Sequence, residues 1–414
     1  MPFKAKFYKP SIKECIAALA CIFSLFPFIT IIDFGTYTQP YALLAGIAFL
    51  PFIFNIRIDF LSAVALSWLL FIGVTLYFFA IATEPLIGPL KYLVAYLTPL
   101  CIVFPSFYLC RHNALFFRKL VTWSASIWII VGIVQITIYP SFLSFLVGSW
   151  SSAADVVVAS GRGVISLAPE PTAFGFHMII MGAIYYLVSL DIRKGVIFSL
   201  SSIILALSAS SLLVLSLALL IVMTTQLKIK VLAKNLFFSL GIMIMLILVA
   251  RYFLDLESME IFRIYDIVLI GLDSPELLLS DSSVNARLGG IYIAGAEIID
   301  RSLVPFGLSL NDWLIEREIL LGKYPFIIAL SLSGFPSGYL IHLYQGGILF
   351  VPFLLYMIKK SGSIIVFGSI GRCLILSAIL VPVFQYSFAT PTFWLFWGVF
   401  LERISKGSNL GKYL

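Results

Sequence analysis

Charge is scarce in this chain. Asp, Glu, Lys and Arg make up 11% of its 414 residues, against 61% hydrophobic residues and a mean hydropathy of +1.08. A soluble domain carries about 25% charged residues, so composition excludes that class. The chain also lacks a Walker loop, a dinucleotide-binding glycine fingerprint and any low-complexity tract, which removes the usual nucleotide-cradling loops. Its three histidines have no metal-ligand spacing. No internal repeat is evident, which disfavours a transporter built from duplicated halves. The five cysteines (Cys15, Cys21, Cys101, Cys110 and Cys373) fall in or beside apolar segments, so packing is expected of them and a disulfide framework is not. The first apolar segment has no small-residue cleavage site, so no cleavable signal peptide is expected.

What the chain has in abundance is long apolar runs. A membrane-spanning helix needs about 20 apolar residues, and the pattern predicts helices near 12–32, 40–56, 60–82, 90–110, 120–139, 170–190, 195–208, 211–226, 235–254, 339–358, 364–385 and 389–401. The expected fold is all-α: a polytopic integral membrane protein of about twelve transmembrane helices, with residues 1–414 forming a single transmembrane domain. Residues 195–226 are short for two crossings at about 1.5 Å per residue. Basic clusters on both sides still require an even number of passages, as two short helices joined at Ser208-Ala209-Ser210-Ser211 or as a re-entrant pair.

Lysine and arginine give the orientation. Seven segments are expected on the cytoplasmic side: Lys4–Lys13, Arg57, Arg111–Lys119, Arg193–Lys194, Lys228–Lys234, Lys359–Lys360 and Arg403–Lys412. Together with the adjoining Glu14, Asp59, Asp191 and Glu402 they hold 18 of the 27 basic residues and only four of the 20 acids, a net +14 that leaves −7 for the remainder. Both termini are therefore expected in the cytoplasm. The overall +7 reads as sidedness, with no nucleic-acid partner.

Two extra-cytoplasmic loops are too long to be connectors, 140–169 and 255–338. Within the second, Leu288, Ile291, Ile298 and Ile299 recur at helical spacing, and Asn311-Asp312 offers an N-cap for a helix through Trp313, Leu314, Ile319 and Leu320. Such amphipathic helices are expected to lie on the membrane surface and roof a cavity. Trp150, Tyr292 and Trp313 suit either sugar stacking or interface anchoring.

The densest chemistry lies at 160–177, where Arg162 stands between two glycines ahead of Pro169-Glu170-Pro171-Thr172 and His177 follows. Ionisable groups at membrane depth are costly and rarely serve packing alone. The prolines suit a helix start, which sets Glu170 at the positive end of a helix dipole. Glu170 is then a candidate base, or else a cap or a partner for Arg162. His177, two turns below on the same face, is either a ligand contact or a histidine satisfied by a carbonyl or serine.

Seven of the nine basic residues outside the cytoplasmic segments are arginine, whose planar fork fits phosphate oxygens. The 255–338 loop carries 12 acids and 5 bases, so any phosphate site there needs individually placed arginines. Arg287 has no acid at helical spacing and reads as functional. Arg301 has Glu297 four residues back, while Arg263 has Glu260 and Asp266 in reach, so ion pairing competes with ligand binding at both. Arg317, between Glu316 and Glu318, reads as solvated surface. Arg372 is read as deep in its helix, on a lipid phosphate or a pair inside the bundle.

These segments resemble the Wzy-type O-antigen polymerases, a family related to the O-antigen ligases. The resemblance rests on Arg162–Gly175, on Arg287–Gly307 ending in Val304-Pro305-Phe306-Gly307, and on Ser337-Gly338-Tyr339-Leu340 through Gln345-Gly346-Gly347. It implies a membrane glycosyltransferase of lipopolysaccharide biosynthesis in the bacterial inner membrane. A growing glycan would pass from undecaprenyl diphosphate onto a lipid-linked repeat unit at the periplasmic face. It also implies lipid-diphosphate-linked donor and acceptor glycans, membrane lipid and a chain-length regulator protein as partners. No acidic metal-binding pair is evident in the residues, so metal-independent chemistry with no cofactor is expected. Glu170, Arg162 and Arg287 would be catalytic, and Arg301, Arg263, His177 and Ser337 would contact substrate. Two departures stand out. Pro336-Ser337 occupies the place of the ligases' His-Asn pair, with His342 three residues into the helix, which favours polymerase over ligase. The glycine that some polymerases place eleven positions after a loop arginine is Ile298 after Arg287 and Asp312 after Arg301. A lipid-linked oligosaccharide flippase is the competing class, disfavoured by the long external loop.

The charge asymmetry makes a direct prediction. With the native cysteines removed, Ser280→Cys is expected to react with a membrane-impermeant thiol reagent in intact spheroplasts. Labelling only after lysis would reverse the orientation.

Overall fold

A computed structural model describes residues 10–34, 36–150, 157, 163–226, 285–327, 330, 334–385 and 387–410. The described residues are helical and contain no strand. In chain order the helices are α1 (Ile12–Leu25), α2 (Tyr41–Phe49), α3 (Phe60–Ala80), α4 (Ile87–His112), α5 (Ala114–Thr137), α6 (Pro171–Ser189), α7 (Ile192–Ile204) and α8 (Ala209–Gln226). After 227–284 come α9 (Gly290–Asp300), α10 (Leu310–Lys323), α11 (Gly338–Gly346), α12 (Val351–Ser361), α13 (Ser369–Phe384) and α14 (Pro391–Leu410). Five helical stretches are long and apolar enough to cross a membrane: Phe60–Ala80, Gly88–His112, Ala114–Thr137, Pro171–Ser189 and Gly338–Val366. Shorter apolar helices run over Tyr41–Asn55, Ser210–Thr225 and Ser369–Phe384. The helix expected at 235–254 lies outside the described residues.

Local chemistry explains where helices start and stop. Ser11 and Glu14 form a reciprocal capping box on α1, and Asp59 and Asp191 cap α3 and α7 through their carboxylates, satisfying first-turn N–H groups. The expected helix 12–32 ends at Leu25, just before Pro27, which has no N–H to continue it. The helix expected at 339–358 breaks after Gly346. Gly347 adopts φ +51, a 3-10 turn follows, and α12 restarts at Val351 with Pro352 in its first turn. In the 300s loop the cap of α10 is Ser309, whose hydroxyl accepts from Asp312 N at 3.0 Å, two residues earlier than expected. Arg372 is not deep in its helix. It occupies the first turn of α13 and folds back onto the carbonyls of Phe367 and Ile365, both at 2.6 Å, because α13 begins only at Ser369.

Helix α6 is the axis of the bundle. Every residue from Thr172 to Val188 is buried, which requires neighbours on all sides, and α5, α7, α8, α13 and α14 supply them. Small residues permit the closest approach. A Cβ at Gly182 would fall 2.1 Å from Ser199 Oγ, and one at Gly175 would fall 2.3 Å from Ser211 Oγ. These contacts also settle the course of 192–226. From Asp191, α7 runs antiparallel to α6, passing Gly182 at Gly195–Ser199 and reaching the level of Gly175 by Ser208. Then α8 turns back, with Ala218 and Val222 packed on Leu376 of α13 beside Ile364 and Cys373. The two helices form a hairpin whose ends share one end of the bundle.

That end collects the basic segments. Lys360 pairs with Asp59 at 2.9 Å, Arg111 donates to the Arg57 carbonyl at 3.5 Å, and the Lys13 ammonium sits 4.3 Å above the Tyr108 ring. Arg403 donates to the carbonyls of Leu187 and Val188. Apart from Lys228–Lys234, which lies outside the described residues, the segments grouped by charge in the sequence are thus neighbours in space. All five cysteines are free, and Cys21, Cys101 and Cys110 are buried.

Helices α9 and α10 share a second small core of Ile293, Ala294, Ile298, Trp313, Leu320, Phe335 and Tyr344, seated on α11. Trp313 is therefore a packing residue, neither a stacking platform nor an interface anchor. Tyr292 stays exposed beside Tyr324 and Phe326. The side chain of Trp150 lies outside the described residues.

Crowding at Gly182 makes a test. Gly182→Leu forces a branched side chain into the α6–α7 contact and is expected to destabilise the fold by about 1–3 kcal/mol. The measurement is the melting temperature of the detergent-solubilised protein, with Gly362→Ala, which meets open space, as the control.

Candidate functional site

The site is built where α6 begins. Gly163 at φ +82 brings its backbone against Ala206, whose carbonyl carbon would lie 2.5 Å from any Cβ there. Only glycine fits both demands. Val164 N then donates to the Leu205 carbonyl at 3.0 Å. Ser166 adopts φ +51 while fully buried, a conformation that costs energy unless its surroundings fix it. Gln135 of α5 provides that constraint. Its Oε1 accepts from Ser166 N at 2.7 Å, and its Nε2 donates to the Ser166 carbonyl at 3.0 Å. The Ser166 hydroxyl donates to the Trp128 carbonyl at 2.7 Å.

The chain leaves this clamp through Pro169 and reaches Glu170, the extended N-cap residue of α6, with Pro171 at the first helical position. Glu170 does not cap its own helix through its side chain. Its Oε1 instead accepts from Gln385 Nε2 and from the Tyr37 hydroxyl, the latter at 3.3 Å. Gln385 terminates α13. The same amide turns its Oε1 to Arg287, whose Nε donates to it at 3.0 Å, and Arg287 Nη2 donates to the Thr172 hydroxyl at 3.0 Å. A carboxylate and a guanidinium from segments 117 residues apart are joined through one neutral amide. Glu170 and Arg287 are both only partly buried.

Arg287 is carried on a turn anchored from below. Asn285, fully buried, donates to the Phe326 carbonyl at 2.8 Å. Gly289 and Gly290 lie against Ile327 and Pro336, so Pro336 serves as packing under the arginine turn. Two further segments of the resemblance meet nearby. The last carbonyls of α11, Tyr344 and Gln345, accept from Phe306 N at 3.1 Å and Gly307 N at 3.0 Å, and Ile348 N donates to the Leu303 carbonyl at 2.8 Å. The break after Gly346 exposes those carbonyls, and the 303–307 strap satisfies them.

Other candidates sit elsewhere. His177 points into the core, fully buried, with its ring 4.3 Å from Trp128 and Nδ1 3.4 Å from Thr392 Oγ1. The helix carrying it is enclosed on all sides, so it does not share the opening with Glu170. Ser337 is fully buried as the N-cap of α11 and donates to the Pro382 carbonyl at 3.2 Å, one turn before Gln385. Arg301 pairs with Glu316 at 2.8 Å and lies over the rings of Phe306 and Tyr344 at 5.0 and 5.3 Å. Its expected partner Glu297 is taken by Lys323 at 2.7 Å and by the Tyr324 hydroxyl at 2.9 Å. Hydrogen bonds to Glu297 and Asp300 raise the Lys323 ammonium above its ordinary range. Arg317 is no solvated surface group, since its Nε donates to the Leu330 carbonyl at 2.8 Å. Arg162 and Arg263 lie outside the described residues.

Sequence reading missed Gln385, Thr172 and Tyr37. Thr172 stands inside the Glu-Pro-Thr motif. Gln385 is a polar residue closing an apolar run, a weak signal that only its spatial partners make meaningful.

Ion pairing of Arg301 predicts a mainly structural role. Arg301→Ala is expected to loosen α9 from α10, read as faster limited proteolysis within 301–323 in detergent, while exposed Arg193→Ala leaves the rate unchanged. Compared with family models, curated proteins and solved structures, the chain finds no match.

Proposed function

We propose that the protein is an O-antigen-type polysaccharide polymerase of the bacterial inner membrane, with the Glu170 end of the bundle facing the periplasm and both termini in the cytoplasm. The observation that carries the reading is the meeting of Glu170, Thr172, Gln385 and Arg287 at the end of the bundle opposite the basic segments. It joins a proton acceptor to a phosphate-binding cation at a partly open helix mouth, as transfer from a lipid diphosphate requires.

In the proposed reaction the acceptor hydroxyl oxygen bonds to the anomeric carbon of the donor glycan. The bond from that carbon to the diphosphate oxygen breaks, and undecaprenyl diphosphate leaves with the electron pair. Glu170 takes the hydroxyl proton as general base. Among the described residues its Oε2 accepts no hydrogen bond, since both bonds go to Oε1. Arg287 stabilises the charge developing on the diphosphate. Its guanidinium plane is fixed by Gln385 and Thr172, so its donors are oriented before substrate arrives. On this reading Arg301 and Ser337 act by holding the roof and α11 in place.

Two substitutions test the assignment. Glu170→Gln keeps size and hydrogen bonding but cannot take the proton, so polymer formation is expected to fall by about 10²–10⁴-fold while single lipid-linked repeat units accumulate. Arg287→Lys keeps the charge and loses the fork that reaches Gln385 and Thr172 together, and a loss of at least about tenfold is expected. Long glycan chains made by a well-expressed Glu170→Gln protein would remove Glu170 as the base.

A further inference from the structure

We infer that Gln385 is a positioning residue, a neutral spacer that keeps Glu170 and Arg287 from collapsing into a direct ion pair, so that Arg287 is presented to a lipid diphosphate. The inference deepens the proposed function and rests on its assignment of the diphosphate to Arg287.

The geometry is specific. A primary amide has a donor end and an acceptor end, and here each faces the group of matching polarity. Nε2 donates to the Glu170 carboxylate, and Oε1 accepts from Arg287 Nε at 3.0 Å. Among the described residues, no ion pair joins Glu170 to Arg287 directly. In a partly buried site a carboxylate and a guanidinium within reach attract strongly and form bidentate pairs. Such a pair would turn the face of Arg287 that matches phosphate oxygens onto Glu170 and tie up the lone pairs that accept a proton. The amide bridges the two groups and carries no charge of its own.

The position of Gln385 is itself held. It follows the last turn of α13, where the Pro382 carbonyl accepts from the buried cap residue Ser337. Tyr339 of α11 also donates to the Ile379 carbonyl at 3.2 Å. The Thr172 hydroxyl fixes the other edge of Arg287 from α6. The spacer thus sits where α6, α13 and the turn before α9 are joined by hydrogen bonds. Among the described residues, the charged and titratable groups bonded to it are Glu170 from α6 and Arg287 from the turn before α9, with Tyr37 from the α1–α2 link on the same Glu170 oxygen.

The test reads binding separately from turnover. Purified full-length protein in detergent is titrated with geranylgeranyl diphosphate as probe, and polymerisation of lipid-linked repeat units is assayed in parallel. Gln385→Ala is expected to bind the probe on the order of tenfold more weakly, because Arg287 is then captured by Glu170. Adding Glu170→Gln to that variant removes the captor and is expected to return affinity to near the wild-type value. Gln385→Glu keeps the size and therefore the packing, and its carboxylate is expected to weaken binding at least as much by engaging Arg287. Wild-type affinity in both single variants would overturn the spacer. A loss in Gln385→Ala that Glu170→Gln does not restore would reduce Gln385 to packing and overturn it as well. A wild-type protein that binds no diphosphate would overturn the spacer together with the assignment of Arg287. Intact binding and rescue without polymerisation would remove the polymerase reading alone and leave the spacer in place.

Discussion

The constraint on which the rest depends is the clamp of one glutamine on one serine. Gln135 accepts from the backbone N–H of Ser166 and donates to its carbonyl, fixing a buried residue in a left-handed conformation. Leaving either backbone group unpaired in a buried site would cost about 1–3 kcal/mol. With the clamp made, the chain passes Gly163 against Ala206, turns at Pro169 and enters α6 with Glu170 at its mouth. Gln385 and Tyr37 then fix the direction of that carboxylate.

The same device recurs. Gln135 ties α5 to the turn before α6, Gln385 ties Glu170 to Arg287, and Gln345 accepts from the Tyr96 hydroxyl at 3.2 Å to tie α11 to α4. A neutral amide offers a donor end and an acceptor end and costs less to bury than a charge. In an interior of low dielectric it can hold segments firmly without demanding a counter-ion. Charged side chains are kept for the two ends, where Lys360–Asp59 and the Arg403 caps knit one and Arg301–Glu316 with Lys323–Glu297 knit the helices over the other. The proposed chemistry sits where the two regimes meet, at a carboxylate and an arginine separated by an amide.

Residue pattern alone determined much of this protein. Apolar length, proline and glycine placement and the alternation of basic segments fixed the helical class, most helix positions and the grouping of Lys13, Arg57, Arg111, Arg193, Lys360 and Arg403, because hydrophobicity and helix capping act over a few residues. The Glu-Pro-Thr turn was legible for the same reason, since proline and a carboxylate mark a helix start by local chemistry. Arg287 also stood out, because an arginine without an acid at helical spacing needs a partner from elsewhere.

Which partner it takes was decided only in three dimensions. Gln385 lies 98 residues from Arg287 and 215 from Glu170, and no local rule relates a residue ending one helix to the cap of another. Burial was equally hidden. His177 and Glu170 share a helix, yet one faces Trp128 and Thr392 in the core while the other faces the opening, because neighbouring helices enclose α6 below its first turn. Arg301 chose Glu316 over the nearer Glu297 because α10 folds back across α9 and Lys323 reaches Glu297 first. Sequence sets what each segment can become, through forces that act within a turn or two. Tertiary packing sets which groups meet, because hydrogen bonds and ion pairs form only between atoms a few ångströms apart, however far apart they lie along the chain.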